Sequence, residues 1–210
     1  MSLILGLLSI LIAVVSYSFY LRNIFTLKTR PHSITWLIWG TLGALIFYQQ
    51  ITHGGGAGAW VTLVASFANF LIFGLSIRYG ERSMTWLDYN CFILAVLALV
   101  LWGFNKDSNI SAVIASGVFI IALIPTWRKS LVNAYEETVV TYALNSLKFL
   151  IALFALSSIS FMTAFYPFVI FAANAVFAIF LLVRRRLGQS RTVALPSLLP
   201  KKVLLSDEKL

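Results

Sequence analysis

Thr141, Asn145 and Lys148 fall within a stretch, Thr138–Leu156, that reads TVVTYALNSLKFLIALFAL and is otherwise almost entirely apolar. On an α-helix each residue advances about 100°. Glu137, Thr141, Asn145 and Lys148 therefore form one polar stripe, and the other faces carry Leu, Ile, Phe, Val, Ala and Tyr. A lysine at mid-bilayer depth costs roughly 2.5–3.5 kcal/mol on insertion scales. Lipid cannot satisfy such a stripe, so it must face a bundle interior or a wet cavity. A fixed ion pair lacks a partner, because Asp88 and Glu137 fall near one surface and Asp107 near the other. An ammonium beside an amide and a hydroxyl would suit a carboxylate, a phosphate or another acceptor-rich solute. Beside this stands a plainer reading, in which Asn145 and Lys148 hydrogen-bond neighbouring helices. Snorkelling fits less well, because Lys148 lies well inside the segment.

The elements that position this stripe follow from composition. The 210 residues are 60% hydrophobic and 11% charged, against about 25% charged residues in soluble domains. This is a multi-pass membrane composition. A net charge of +9 does not point to nucleic acid, because the basic residues lie between and after the apolar runs and form no single face. The sole cysteine, Cys91, excludes an internal disulfide and reads as packing. His32 and His53 lie in separate loops, so no metal site is expected.

A spanning helix needs about 20 mainly apolar residues. Seven candidates fit: 3–21, 33–50, 57–77, 86–104, 110–127, 138–156 and 160–183. The first lacks a basic start and a cleavage site, so it is expected to be retained and not removed as a signal peptide. With the N-terminus outside, fourteen of the sixteen Lys and Arg residues fall on the inner side, Lys106 falls outside and Lys148 lies within the membrane. Cytoplasmic loops carry such an excess. The expected location is a bacterial inner or plasma membrane, N-terminus outside and C-terminus inside. The loop HGGGAGAW between the second and third segments is flexible, and is either an unremarkable surface loop or a gate. The tail 187–210 should be disordered.

Sliding the second half onto the first by 106 residues needs no gap. Arg22 meets Arg128, Thr35 meets Thr141, Trp60 meets Tyr166 and Arg78 meets Arg184. Both halves run helix, basic loop, helix, short uncharged loop, helix, arginine. An odd linker helix leaves both triplets pointing the same way, which is a parallel repeat. The expected fold is all-α, with seven transmembrane helices in a 3+1+3 arrangement. The first bundle spans 1–80, the linker helix 81–107 and the second bundle 108–186. In this register Asn145 meets Trp39 and Lys148 meets Leu42. Trp36, Trp39 and Trp60 could offer aromatic faces to a sugar or ring, or serve as packing and interface anchors.

This layout resembles the PQ-loop superfamily, which includes the SWEET and SemiSWEET sugar transporters. The family's Pro-Gln motif near the end of each bundle's first helix corresponds to Pro125 and Thr126 in IPTWRKS, and to Phe19 and Tyr20 in YSFYLRN, which has no proline. The resemblance makes Pro125 the candidate conformational hinge. It also implies sugar-facing asparagines on the third helix of each bundle, here Asn69 in SFANF and Asn174 in FAANA. The carboxylates that couple some relatives to protons have no evident counterpart.

The leading expectation is a transporter of a small polar solute, sugar-like or a small organic anion, working by alternating access. Its substrate-binding residues would be Lys148, Asn145, Thr141, Asn69, Asn174 and Trp39, with no cofactor, no metal and no catalytic residue. Its partners would be the lipid bilayer and the solute, and a homo-oligomer is compatible with the sequence. A non-transporting scaffold or ligand sensor of the same fold is the alternative. A retinal protein fits poorly, because the lysine is not on the last helix and helix 3 has no acidic counterion. An enzyme is not expected, because HExxH, GxSxG and paired membrane carboxylates are absent.

Overall fold

The computed structural model of the protein describes residues 1–104 and 107–198, with side chains as far as Leu187. Among these residues there are seven α-helices and two short 3-10 turns, and no strand. The helices are α1 Ser2–Phe25, α2 Ser33–Thr52, α3 Trp60–Tyr79, α4 Trp86–Phe104, α5 Ser108–Val132, α6 Val139–Ala155 and α7 Phe161–Leu198. Six are long and apolar enough to cross a membrane, and α6, with 17 residues, is the short one. The fold is all-α and that of a multi-pass membrane protein.

Local sequence explains several boundaries. Asp107 caps α5, its carboxylate accepting from the Asn109 and Ile110 amides at 2.8 and 3.3 Å. The glycine-rich loop tightens into the 3-10 turn Gly56–Ala59 before α3 begins at Trp60. Glu137 is extended, with φ −122° and ψ 149°, so it precedes α6 and does not continue its stripe. α7 runs past the end of its apolar stretch, through Arg184–Arg186 to Leu198. The tail expected from residue 187 thus begins as helix, in keeping with the good helix propensity of Arg and Leu. Residues 199–210 of that tail, and Lys106, lie outside the described residues.

α1 buries mainly small and polar residues and turns most of its bulky aliphatics outward. On α1 the buried positions are Gly6, Ser9, Ala13, Ser16, Tyr17, Tyr20 and Ile24, spaced by three or four in most steps. Leu7, Leu11 and Val14 on the same helix are exposed. Without a hydrophobic drive between helices in lipid, small residues that let backbones approach become the natural contacts. α2 and α3 show this: a Cβ on Gly43 would lie 2.9 Å from Ser66 Cβ, and Ser66 donates to the Gly40 carbonyl at 2.7 Å.

The packing order differs from the chain order. α3 lies between α1 and α2, and α7 lies between α5 and α6. α1 also packs along α6, and α2 along α5. Six helices thus close a ring, α1–α3–α2–α5–α7–α6, while α4 rests on α5 with slight contact to α2. The basic connections gather at one end. The Arg30 amide donates to the Glu136 carbonyl at 3.2 Å, and the Glu81 amide to the Pro31 carbonyl at 3.0 Å.

Candidate functional site

A small cavity lies inside the ring, with a volume of about 20 Å³. That is room for a single water, so a larger solute needs the surrounding helices to part. Four of the residues expected to bind solute line it: Trp39, Asn69, Asn145 and Asn174. No lining residue carries a formal charge.

The polar atoms divide between structure and cavity. Asn69 Oδ1 accepts from the Tyr17 hydroxyl at 3.2 Å. Asn145 Oδ1 accepts from Ser16 Oγ at 3.0 Å. Asn174 Nδ2 donates to the Ile170 carbonyl on its own helix at 2.8 Å. Among the described residues, this leaves Asn69 Nδ2, Asn145 Nδ2 and Asn174 Oδ1 without a protein partner. Thr62 Oγ1, also in the lining, is buried with no partner. Trp39 stacks on Phe119 with centroids 4.8 Å apart and planes at 15°, and its Nε1 donates to the Phe119 carbonyl at 3.2 Å. The site offers both donors and acceptors beside aromatic faces.

The lining repeats along the chain. Trp39 and Asn145 are 106 residues apart, as are Gly43 and Phe149. Asn69 and Asn174 are 105 apart, as are Ala65 and Ile170. α2 and α6 therefore contribute matched positions, and so do α3 and α7.

Two expected site residues do not line the cavity. Thr141 Oγ1 donates to the Ser16 carbonyl at 3.1 Å, and Ser16 Oγ in turn reaches the Thr141 carbonyl at 3.0 Å. One side of α6 faces both α1 and the cavity, and Thr141 falls on the α1 part. Lys148 is fully buried, yet its ammonium makes no hydrogen bond to Asn145 or to any other described residue. It lies over the Tyr17 ring, 4.1 Å from the centroid, and 5.2 Å from that of Phe149. Both rings line the cavity, so Lys148 stands one side-chain layer behind it. A desolvated cation–π contact contributes about 2 kcal/mol or more, whereas burying an ion costs several kcal/mol. The rings offset only part of that cost. Pro125 is buried within α5, which runs through it as continuous helix.

A second cluster, at the basic end, was not foreseen. Glu137 is 1% exposed and receives hydroxyls from Tyr20 on α1 and Tyr142 on α6, both at 3.0 Å. Its other oxygen pairs with Lys129, which also donates to the Arg30 carbonyl. Thr29 and Thr138 meet at 2.7 Å, and Asn23 Nδ2 donates to Thr138 Oγ1 at 2.9 Å. These bonds tie the α1 side to the α5–α6 connection. Beside them, Asp88 takes Arg128 at 3.0 Å and lies 3.7 Å from His32 Nε2. Burial pushes the His32 imidazole down to about 4, against the opposing pull of Asp88. At the opposite end the Ser157 amide donates to the Gly55 carbonyl at 3.3 Å, and Gln50 Nε2 to the Thr163 carbonyl at 3.1 Å. The glycine loop is packed against the α6–α7 connection.

The small-residue stripe of α1 was the signal that could have placed Tyr17 at the site. The Glu137 cluster had no such signal, because it depends on how the α1–α2 and α5–α6 connections meet. Compared with protein-family models, curated proteins and solved structures, the chain matches none.

Proposed function

We propose that the chain is a membrane transporter of a small polar solute, with α1–α3 and α5–α7 as two parallel bundles that rock around the central cavity. α4 is then the linker of a 3+1+3 arrangement. The observation that carries the reading is the cavity itself, which holds three asparagines and has eight of its twelve lining residues in pairs 105 or 106 apart. The helix order adds support, since exchanging α1, α2 and α3 for α5, α6 and α7 maps the ring onto itself. The resemblance to the PQ-loop superfamily points the same way, with Asn69 and Asn174 as solute ligands and Pro125 as hinge. The basic connections at one end favour that end as cytoplasmic, which puts the N-terminus outside.

Alternating access requires the cavity to open to each side in turn. Single cysteines at Asn69 and Asn174, in a Cys91→Ala background, test this without knowing the solute. A membrane-impermeant thiol reagent should modify each from both faces of the membrane. Labelling from one face only, or from neither, in folded protein would favour the scaffold or sensor.

A further inference from the structure

We propose that the solute bears an anionic oxygen group, carboxylate or phosphate, and that Lys148 is the positive charge that pairs with it once Tyr17 turns aside. The inference rests on the transport reading and narrows its substrate class.

Lys148 is fully buried and its ammonium has no hydrogen-bond partner among the described residues. The carboxylates near the membrane surfaces are already engaged. Asp88 binds Arg128, Glu137 binds Lys129 and two tyrosines, Glu136 accepts from Asn133, and Asp107 caps α5. Glu81 accepts from Ser83. From the helices packed on α6, α1 brings Tyr17 and Tyr20 and α7 brings Tyr166, and none of these is a countercharge. The 3-10 turn Gly56–Ala59 and α3 bring no titratable group to this depth.

Two rings lie against the ammonium, those of Tyr17 and Phe149, and both line the cavity. Tyr17 is held by one hydrogen bond, from its hydroxyl to Asn69 Oδ1. An anionic oxygen can accept from Asn69 Nδ2, which this bond leaves free, and from the Tyr17 hydroxyl itself, drawing that hydroxyl off Asn69 Oδ1 and freeing the ring to rotate. The ammonium then faces the cavity. A neutral solute would satisfy the asparagines and leave the cation as it stands. An anion satisfies both, through charge-assisted hydrogen bonds stronger than neutral ones.

The test is thermal unfolding of the purified full-length chain with acetate, lactate, malate and glycerol phosphate, against glucose and glycerol as neutral probes. At least one anion should raise the midpoint of the wild-type protein. Lys148→Met should weaken that anion's binding about 30-fold or more, as expected when one partner of a buried charge pair is removed, and Lys148→Arg should retain part of it. If Lys148→Met does not fold, Lys148→Gln takes its place, and the wild-type panel still decides whether anions bind. Absence of any anion effect on the wild type overturns the inference, as does an equal effect on Lys148→Met. Neutral probes acting equally on both would overturn the anion assignment and keep the transport reading. One-sided cysteine labelling with an intact anion effect would do the reverse.

Discussion

Thr35 and Thr141 make the same bond in two places. Thr35 Oγ1 donates to the Ala122 carbonyl at 2.7 Å, and Thr141 Oγ1 to the Ser16 carbonyl at 3.1 Å. Donors and acceptors are each 106 residues apart, so one contact joins α2 to α5 and its counterpart joins α6 to α1. Thr35 carries more, because its hydroxyl also accepts from Thr126 at 3.1 Å.

Replacing either threonine by valine keeps the shape and removes the donor. Each should lower stability by about 1 kcal/mol. Thr35→Val should cost more than Thr141→Val, since it also leaves the buried Thr126 hydroxyl without its acceptor. Denaturant unfolding of purified protein measures both, and equal costs would count against this unequal role.

Gly58 and Gly74 should respond oppositely to alanine. A Cβ at Gly58 would lie 2.6 Å from the Ala152 carbonyl oxygen, which is backbone and cannot swing away, whereas Gly74 has open space. Gly58→Ala should destabilise by about 1–3 kcal/mol. Gly74→Ala should be neutral or stabilising by up to about 1 kcal/mol. Paired melting curves decide.

Acid should weaken the fold through His32. Its imidazole moves from 6.5 to about 4, because burial disfavours the charged form. The unfolded chain therefore binds more protons in that interval. Stability from this group is complete above pH 6.5 and is lost as pH falls towards 4, with a slope approaching about 1.4 kcal/mol per pH unit. Glu81 is held below its ordinary 4.5: burial raises it, but Ser83 and the nearby Lys129 and Arg128 outweigh that. Its loss therefore comes lower in pH. His32→Asn should flatten the curve between pH 4.5 and 6.5; an unchanged curve would exclude the imidazole as the cause.

Glu137→Gln should cost about 3–5 kcal/mol, since it strands the buried Lys129 charge. Adding Lys129→Met should recover part of that loss. A double-mutant cycle with no coupling between the two positions would contradict the ion pair.

A reporter enzyme active only in the cytoplasm, fused after Leu210, should be active in intact cells. Activity of a periplasmic reporter at the same junction would invert the orientation inferred from the basic connections.

Much of this fold was legible because lipid demands long apolar runs, and those runs mark the helices. Asn145 was legible as a cavity residue for the same reason, since polar side chains in such runs have few places to go; Trp39 came from the 106-residue register, and Asn69 and Asn174 from the family resemblance. The division of labour between Thr141 and Asn145 was not legible. A helical stripe gives direction, but not which neighbour fills it. Glu137 was misread because the stripe assumed helix where the backbone is extended. Its pairing with Lys129 needs the 3-10 turn Ala134–Glu136 to bring the chain back, and no periodicity encodes that.

The position of α4 bears on biogenesis. It rests on α5 and has only slight contact with α2, while Asp88 at its start binds Arg128 at 3.0 Å. It therefore travels with the second half of the chain. A nick between Gly80 and Trp86 would yield fragments of three and four helices, and the α1–α6 and α2–α5 seams between them contain no covalent link. Co-expressed from separate messages, the two fragments should reassemble. In the proposed 3+1+3 arrangement the larger one would need its own α4 to thread the last three helices in the right direction, and what α4 would supply is an odd crossing for the translocation machinery to count.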